Sequence, residues 1–224
     1  MYRLDSDKIL RVPAFEAFSW LDHGFGTKHS TGWPPEAGRA TLKQVHSTQV
    51  AVADRAGVLG EGDALITGTV GIFVTIKTAD CIPVLLVDPV NKVVAAVHAG
   101  WRGTAGNIVR STIDTMVSEF HTDPQTLWAA IGPGIRRCCY EVSGDVAGQF
   151  AQWLPEHAAA VDGTMLDLTE VNRRQLTGTG LAPEHVLGST ANNWCTSCES
   201  ETLHSFRRDK QTSGRMLSAI RIRG

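Results

Sequence analysis

Short apolar segments recur along the chain between clusters of Gly, Pro, Asp and Asn, and this spacing predicts strands over 41–45, 50–53, 64–67, 72–76, 82–87, 93–97, 127–131, 186–189 and 216–222. Two of these, 82–87 and 93–97, are nearly unbroken apolar runs joined by Asp88-Pro89-Val90-Asn91-Lys92, which reads as a hairpin turn. A helical period takes over in 104–120, where Ile108, Ile113, Met116, Val117 and Phe120 approximate one apolar face. Helices are also predicted over 144–154 and 167–176. Strands outnumber helices and follow one another directly, so the chain reads as an α+β layered sheet protein and not as a regular βαβ repeat.

The hairpin has a chemical consequence. A turn over Asp88 to Asn91 with Pro89 second sets Cys81 directly opposite His98, with Cβ atoms about 4.5–5.5 Å apart. A three-residue loop with a bulge would offset the pair by one position. Such a separation suits a thiolate and an imidazole sharing a metal ion, or a Cys–His nucleophile pair. A strand cysteine is often only a small core residue, and a strand-end histidine is often simply hydrogen-bonded. Here, however, Asp80 precedes the cysteine and Gly100-Trp101-Arg102-Gly103 follows the histidine, gathering polar groups and tight turns at one end of the hairpin. His46 closes the apolar segment 42–45, where a strand could deliver it to a sheet end. A Cys-His-His set with one open position is a catalytic metal arrangement.

Two further blocks stand out. Gly100 to Gly106 leads into the longest predicted helix, so its free amides and Arg102 could cradle an anion, or the glycines could serve packing alone. Ile131 to Val142 joins a tight turn to Arg136, Arg137, Cys138 and Cys139 and reads as a turn carrying buried small thiols. Cys195-Thr196-Ser197-Cys198 is a lone CxxC, read as structural thiols.

Composition narrows the class. With 224 residues, 42% hydrophobic, 20% charged and net charge −2, the chain fits an ordinary globular protein, and residues 1–224 are expected to form one domain. Lys and Arg are scattered, so no nucleic-acid partner is expected. The N-terminal stretch lacks the apolar core of a secretory signal, and no apolar run approaches the ~20 residues of a membrane span, so the expected location is the cytoplasm, without a membrane partner. Five cysteines, an odd number with an adjacent pair, argue for reduced thiols over a disulfide framework.

The blocks Gln44-Val45-His46, 62–67 (Gly-Asp-Ala-Leu-Ile-Thr), 78–84 (Thr-Ala-Asp-Cys-Ile-Pro-Val), 98–103 (His-Ala-Gly-Trp-Arg-Gly) and Ile131-Gly132-Pro133 together resemble the YfiH-like laccase-domain family. Cys139-Tyr140-Glu141-Val142, Phe206-Arg207-Arg208-Asp209 and His23 to Thr27 extend the match over nearly the whole chain. The resemblance implies a layered α/β/β/α-type domain with mixed, largely antiparallel sheets. It also implies zinc held by His46, Cys81 and His98, with copper as the alternative metal. The activity it implies is purine nucleoside phosphorolysis on adenosine, inosine, guanosine or methylthioadenosine, with adenosine deamination as a side reaction, in a monomer or homodimer. Cys81, His98, Asp80 and Arg102 are then the expected catalytic residues, and Lys28, Gln44 and Arg207 the expected substrate contacts. Lys28 stands where relatives usually carry Arg, and a lysine offers a point charge in place of a planar fork. Ser47 and Gly134 are further departures. Two other functions compete: a metal-independent Cys-His hydrolase acting on a peptidoglycan precursor, and a copper-dependent polyphenol oxidase. The latter normally needs paired histidines, and no two of the eight here are separated by one residue.

Overall fold

The computed structural model describes residues 2–188 and 194–224. Two mixed, largely antiparallel sheets are stacked. One orders its strands as Arg3–Leu4, Leu10–Arg11, Leu21–Phe25, Met216–Ile222, Phe73–Thr78, Arg39–Lys43 and Gly57–Glu61. The other runs Val186–Leu187, Trp128–Ile131, Ile82–Asp88, Val93–Ala99, Ala64–Thr67 and Val50–Val52. The α+β layered class expected from the sequence is the one observed.

Why the hairpin strands read as continuous apolar runs is now clear: both of their faces are covered. Val84 and Leu86 point, with Ala95 and Val97, into a cluster shared with Ile108, Ile113 and Met116 of the helix Ile108–Phe120 and with Val171 and Leu176 of the helix Leu168–Gly178. Leu85 and Val87, with Val94 and Ala96, point the other way into a cluster shared with Phe25, Val74, Ile76 and Ile220 of the larger sheet. Alternate residues of one strand thus feed two cores. Each fully buried Val, Leu or Ile contributes about 1.5–3 kcal/mol relative to exposure.

The strands 64–67 and 216–222 fall at their expected bounds, and most others shift by one or two residues. The strand expected over 186–189 is Val186–Leu187, and Ser189 lies outside the described residues. The expected helix 104–120 is two helices, Trp101–Ala105 and Ile108–Phe120, because Asn107 takes a left-handed conformation (φ 65°) between them. Val117, assigned to the apolar face, is 39% exposed. The helix expected over 144–154 is α-helical only across Gly144–Gly148 and continues as turns, whereas that at 167–176 begins as expected, with the Asp167 carboxylate accepting from Glu170 N. No helix among the described residues is long and apolar enough to cross a membrane.

The hairpin register corrects the expected pairing. His98 lies opposite Pro83 and Ala99 opposite Ile82, so Cys81 is two residues beyond the partner of His98. The cause is Asp88. Its buried carboxylate accepts from Val90 N (2.9 Å), Asn91 N (3.0 Å), Asn91 Nδ2 (2.9 Å) and Thr122 Oγ1 (2.7 Å), which holds Asp88 as the last strand residue and leaves a four-residue loop. A shift of two preserves the face, so Cys81 and His98 remain diagonal neighbours on the side turned to the larger sheet.

Candidate active site

The site is built at one end of the space between the two sheets. His46 comes from the larger sheet, three residues past the strand Arg39–Lys43, whereas Cys81 and His98 come from the hairpin. One carboxylate ties the His46 segment to the His98 strand. Asp63, fully buried, accepts from His46 N (3.0 Å) and His98 Nδ1 (2.8 Å) on one oxygen. Its other oxygen accepts from Ser47 N (2.6 Å), Ser47 Oγ (2.8 Å) and Val45 N (3.3 Å). Its carbonyl also accepts from His98 N at 2.7 Å. This grip holds His46 in the left-handed region (φ 59°), a conformation a side-chain-bearing residue keeps only where its surroundings over-determine it. With Nδ1 of His98 committed to a carboxylate, Nε2 is its free ligand atom.

One donor atom from each of His46, Cys81 and His98 lies within 4.8 Å of the others. The His46 and His98 rings stand edge to face, 4.9 Å between centroids. Gly100 keeps the centre open, because a Cβ there would sit 2.6 Å from His46 Nδ1 and 3.1 Å from Cys81 Sγ. A soft sulfur, two imidazole nitrogens, a carboxylate behind one of them and a cradle that one methyl group would fill are a fit for a divalent metal with an open side, since His46 is exposed while His98 is buried.

Electrostatics agree. Burial pushes the Cys81 thiol up, but hydrogen bonds from His46 and His98 outweigh it and bring the pKa down to about 6. Burial pushes His98 down, yet its bonds to Asp63 and Cys81 raise it to about 9. Burial raises Asp63 too, but His98 and Ser47 bring it down to about 2. Without metal the residues form a thiolate–imidazolium pair, and binding a metal displaces the imidazolium proton.

A cavity of about 710 Å³ opens above these residues. Trp101, Ile135, Tyr140 and Phe206 give it apolar walls, and Lys43, Lys77, Arg207, Lys210 and Arg215 give it positive charge. The Arg207 guanidinium lies 5.2 Å from the Tyr140 ring centroid and donates to the Glu141 carbonyl (2.9 and 3.0 Å). Burial, and then the Cys81 thiolate, push the Tyr140 phenol up to about 12, so it stays a neutral donor.

Of the expected site residues, His46, Cys81, His98, Asp80, Gln44 and Arg207 line this cavity. Two of the expected residues lie elsewhere. Arg102 is not among the lining residues, and its guanidinium lies over the Trp101 ring, 4.3 Å from the centroid. Lys28 is also not among them; its Nζ donates to the Ser200 carbonyl at 2.7 Å. Asp80 is at the cavity, with both carboxylate oxygens engaged. Its two oxygens accept at 2.6 Å from Thr196 Oγ1 and from Arg207 N, so it braces the wall beside Cys81, itself held at φ 90°. Gln44 is similarly engaged, accepting from Lys77 N (2.7 Å) and donating to Lys77 O (2.8 Å). Asp63 and Gly100 were visible only as members of sequence blocks; their roles depend on a fold that brings residues 35 apart into one hydrogen bond.

Comparison with known proteins finds relatives over most of the chain. A family model described as multi-copper polyphenol oxidoreductase laccase matches residues 27–223. A protein of Deinococcus radiodurans named purine nucleoside phosphorylase is 44% identical over 184 residues, 81% of this chain and 69% of that one. Purine nucleoside phosphorylase YlmD of Geobacillus stearothermophilus is 37% identical over 70% of this chain, a stretch that spans 59% of YlmD. The crystal structure of YlmD superposes with a TM-score of 0.88 at 28% identity, covering 100% of this chain and 99% of that one. Adenosine deaminase RL5, from an unknown prokaryotic organism, is 32% identical over 80% of this chain and 72% of its own length.

Proposed function

The chain belongs to the YfiH-like laccase-domain family, and from that premise we propose that it is a zinc-dependent purine nucleoside phosphorylase acting on adenosine, inosine, guanosine or methylthioadenosine. The observation that carries the reading is the convergence of His46, Cys81 and His98 at the floor of a cavity lined by aromatic rings and cations. That pairing matches a substrate with a flat purine and an anionic co-substrate. The core shared by both sheets supports treating residues 1–224 as one domain.

In phosphorolysis a phosphate oxygen bonds to the ribose C1′ while the bond from C1′ to the purine nitrogen breaks, and the purine leaves with the electron pair and gains a proton. Arg207, Lys77, Lys210 and Arg215 supply positive charge to hold the phosphate and offset charge as that bond breaks. Trp101, Tyr140 and Phe206 offer faces on which a purine can stack. The neutral Tyr140 phenol is a hydrogen-bond donor to the departing base. Bound zinc would supply a Lewis acid beside the substrate. Asp63 orients His98, and Asp80 fixes the backbone next to Cys81. Deamination of adenosine, in which water replaces the amino group and ammonia leaves, fits the same cavity and is the side activity we assign, following the name of the RL5 relative.

The test is metal analysis of the purified protein coupled to chromatography of inosine and adenosine incubated with and without phosphate. Free base and ribose 1-phosphate formed only with phosphate, and lost on chelation, is the expected result. No base release from protein with its metal intact would overturn the proposal. Turnover of another substrate that survives chelation and is blocked by labelling Cys81 would assign a Cys-His hydrolase instead.

A further inference from the structure

The remaining four cysteines form a second cluster. Cys138 and Cys139 lie in the turn that Cys139 N closes on the Arg136 carbonyl, and Cys195 and Cys198 lie on a distant segment, yet all four Sγ atoms fall within 4.8 Å of one another. The two segments are aligned by a parallel bridge between Gly134 and Cys195 and by a hydrogen bond from Thr196 N to Gly134 O (3.1 Å). Cys195 is buried, Cys139 half-buried, and Cys138 and Cys198 exposed, which corrects the expectation of two buried small thiols after the turn.

The spacing discriminates among uses of four thiols. Cys198 Sγ lies 3.4 Å from Cys139 Sγ and 3.7 Å from Cys138 Sγ. A disulfide requires about 2.05 Å. A tetrahedral ion with metal–sulfur bonds of about 2.3 Å has sulfur–sulfur edges of about 3.8 Å. Four thiols with, among the described residues, no carboxylate or imidazole in the cluster are an all-sulfur donor set, the kind that holds structural zinc.

We propose that Cys138, Cys139, Cys195 and Cys198 bind a structural zinc ion distinct from the metal at His46, Cys81 and His98. The ion clips the 132–139 turn to the 195–198 segment. Its location gives it a job in the first site. Thr196, one residue from Cys195, donates to Asp80 Oδ1 at 2.6 Å, and Asp80 O accepts from Ile135 N at 2.8 Å. Arg208 adds bonds to the carbonyls of Thr196 (2.8 Å) and Ser197 (3.1 Å). Both segments under the ion therefore grip the residue before Cys81, and Tyr140 of the cavity wall adjoins Cys139. Zinc would displace the protons of these thiols on binding, and no electron transfer is involved.

The proposal predicts two zinc ions per chain. C195S and C198S should each retain one, and the double variant H46A/C81S should also retain one, leaving the four thiols untouched. X-ray absorption at the zinc edge of H46A/C81S should show four sulfur neighbours at about 2.3 Å. Should C195S fail to fold, the spectrum of the wild-type protein still decides the matter: two sites as assigned average more than two sulfurs per zinc, whereas the first site alone gives one. One zinc in the wild type with a single sulfur neighbour, a zinc-free H46A/C81S protein, or a Cys139–Cys198 disulfide in non-reduced peptide maps would overturn it. Failure of the phosphorylase assay would leave these readouts unchanged.

Discussion

Replacing Asp63 by Asn isolates the group on which the metal ligands depend. The carboxylate accepts five hydrogen bonds, two on Oδ1 and three on Oδ2, and Asp63 is fully buried. An asparagine can turn its oxygen to the Oδ2 side and keep three donors satisfied, but its NH2 then faces His46 N and His98 Nδ1. A lost charge-assisted bond and an orphaned donor each cost about 1–3 kcal/mol, so D63N should lose ~2–6 kcal/mol of stability. His98 can relieve the clash only by changing tautomer, which puts its proton on Nε2, the ligand atom. A metal-supporting carboxylate removed in this way typically costs 10–100-fold in affinity. Zinc affinity measured by competition with a chromophoric chelator, beside urea unfolding of the metal-free protein, reads both effects. Wild-type zinc affinity, within about twofold, in a folded D63N protein would refute the argument that Asp63 sets the tautomer of His98.

Further predictions follow from the same geometry. Gly100 has an ordinary backbone conformation (φ −70°), so G100A should fold, yet its methyl would stand 2.6 Å from His46 Nδ1; metal content per chain should fall at the first site, and an unchanged content would refute the cradle. In metal-stripped protein, the Cys81 alkylation rate, read by peptide mass spectrometry, should rise through a midpoint near pH 6. The sign of the linked stability differs for the two partners. The lowered thiol pKa contributes stability above the unfolded value of about 8.5 that is lost as pH falls through about 6. The raised imidazole contributes below about 6.5 and is lost as pH rises through about 9, so stripped protein should weaken on both sides of that window. R207A should raise the KM for phosphate about 10–100-fold, the equivalent of one charge-assisted contact, with R207K recovering little because the planar fork is lost; an unchanged KM would remove Arg207 from the anion site.

Much of the fold was legible because the hairpin runs, the 64–67 and 216–222 strands and the capped helix at 168 are set by local apolar patterning and by Asp167. The register was not, because it depended on Asp88 collecting amides from its own loop together with Thr122, 34 residues away. His46, Cys81 and His98 could be grouped from their positions at strand ends. Asp63 could not, because a buried carboxylate announces itself only through the donors that fold onto it. Arg102 and Lys28 misled because a charge near a glycine turn says nothing about which way it packs: one lies on Trp101 and the other bonds a carbonyl. The four-thiol cluster escaped because an adjacent pair and a CxxC do not share the repeated spacing by which such sites are read.

The strand Met216–Ile222 sits inside the larger sheet, between Leu21–Phe25 and Phe73–Thr78. During synthesis, therefore, the ribosome releases His46, Cys81 and His98 well before the strand that closes the sheet beside them exists. Until then the partners of Leu21–Phe25 and Phe73–Thr78 are missing and their edges are open. The nascent chain carries Cys81 and the two imidazoles on an unsealed scaffold, so chaperone cover matters most until the strand 216–222 has been made, a metal site can close only after it, and a frameshift near residue 215 would cost the whole sandwich and not a tail.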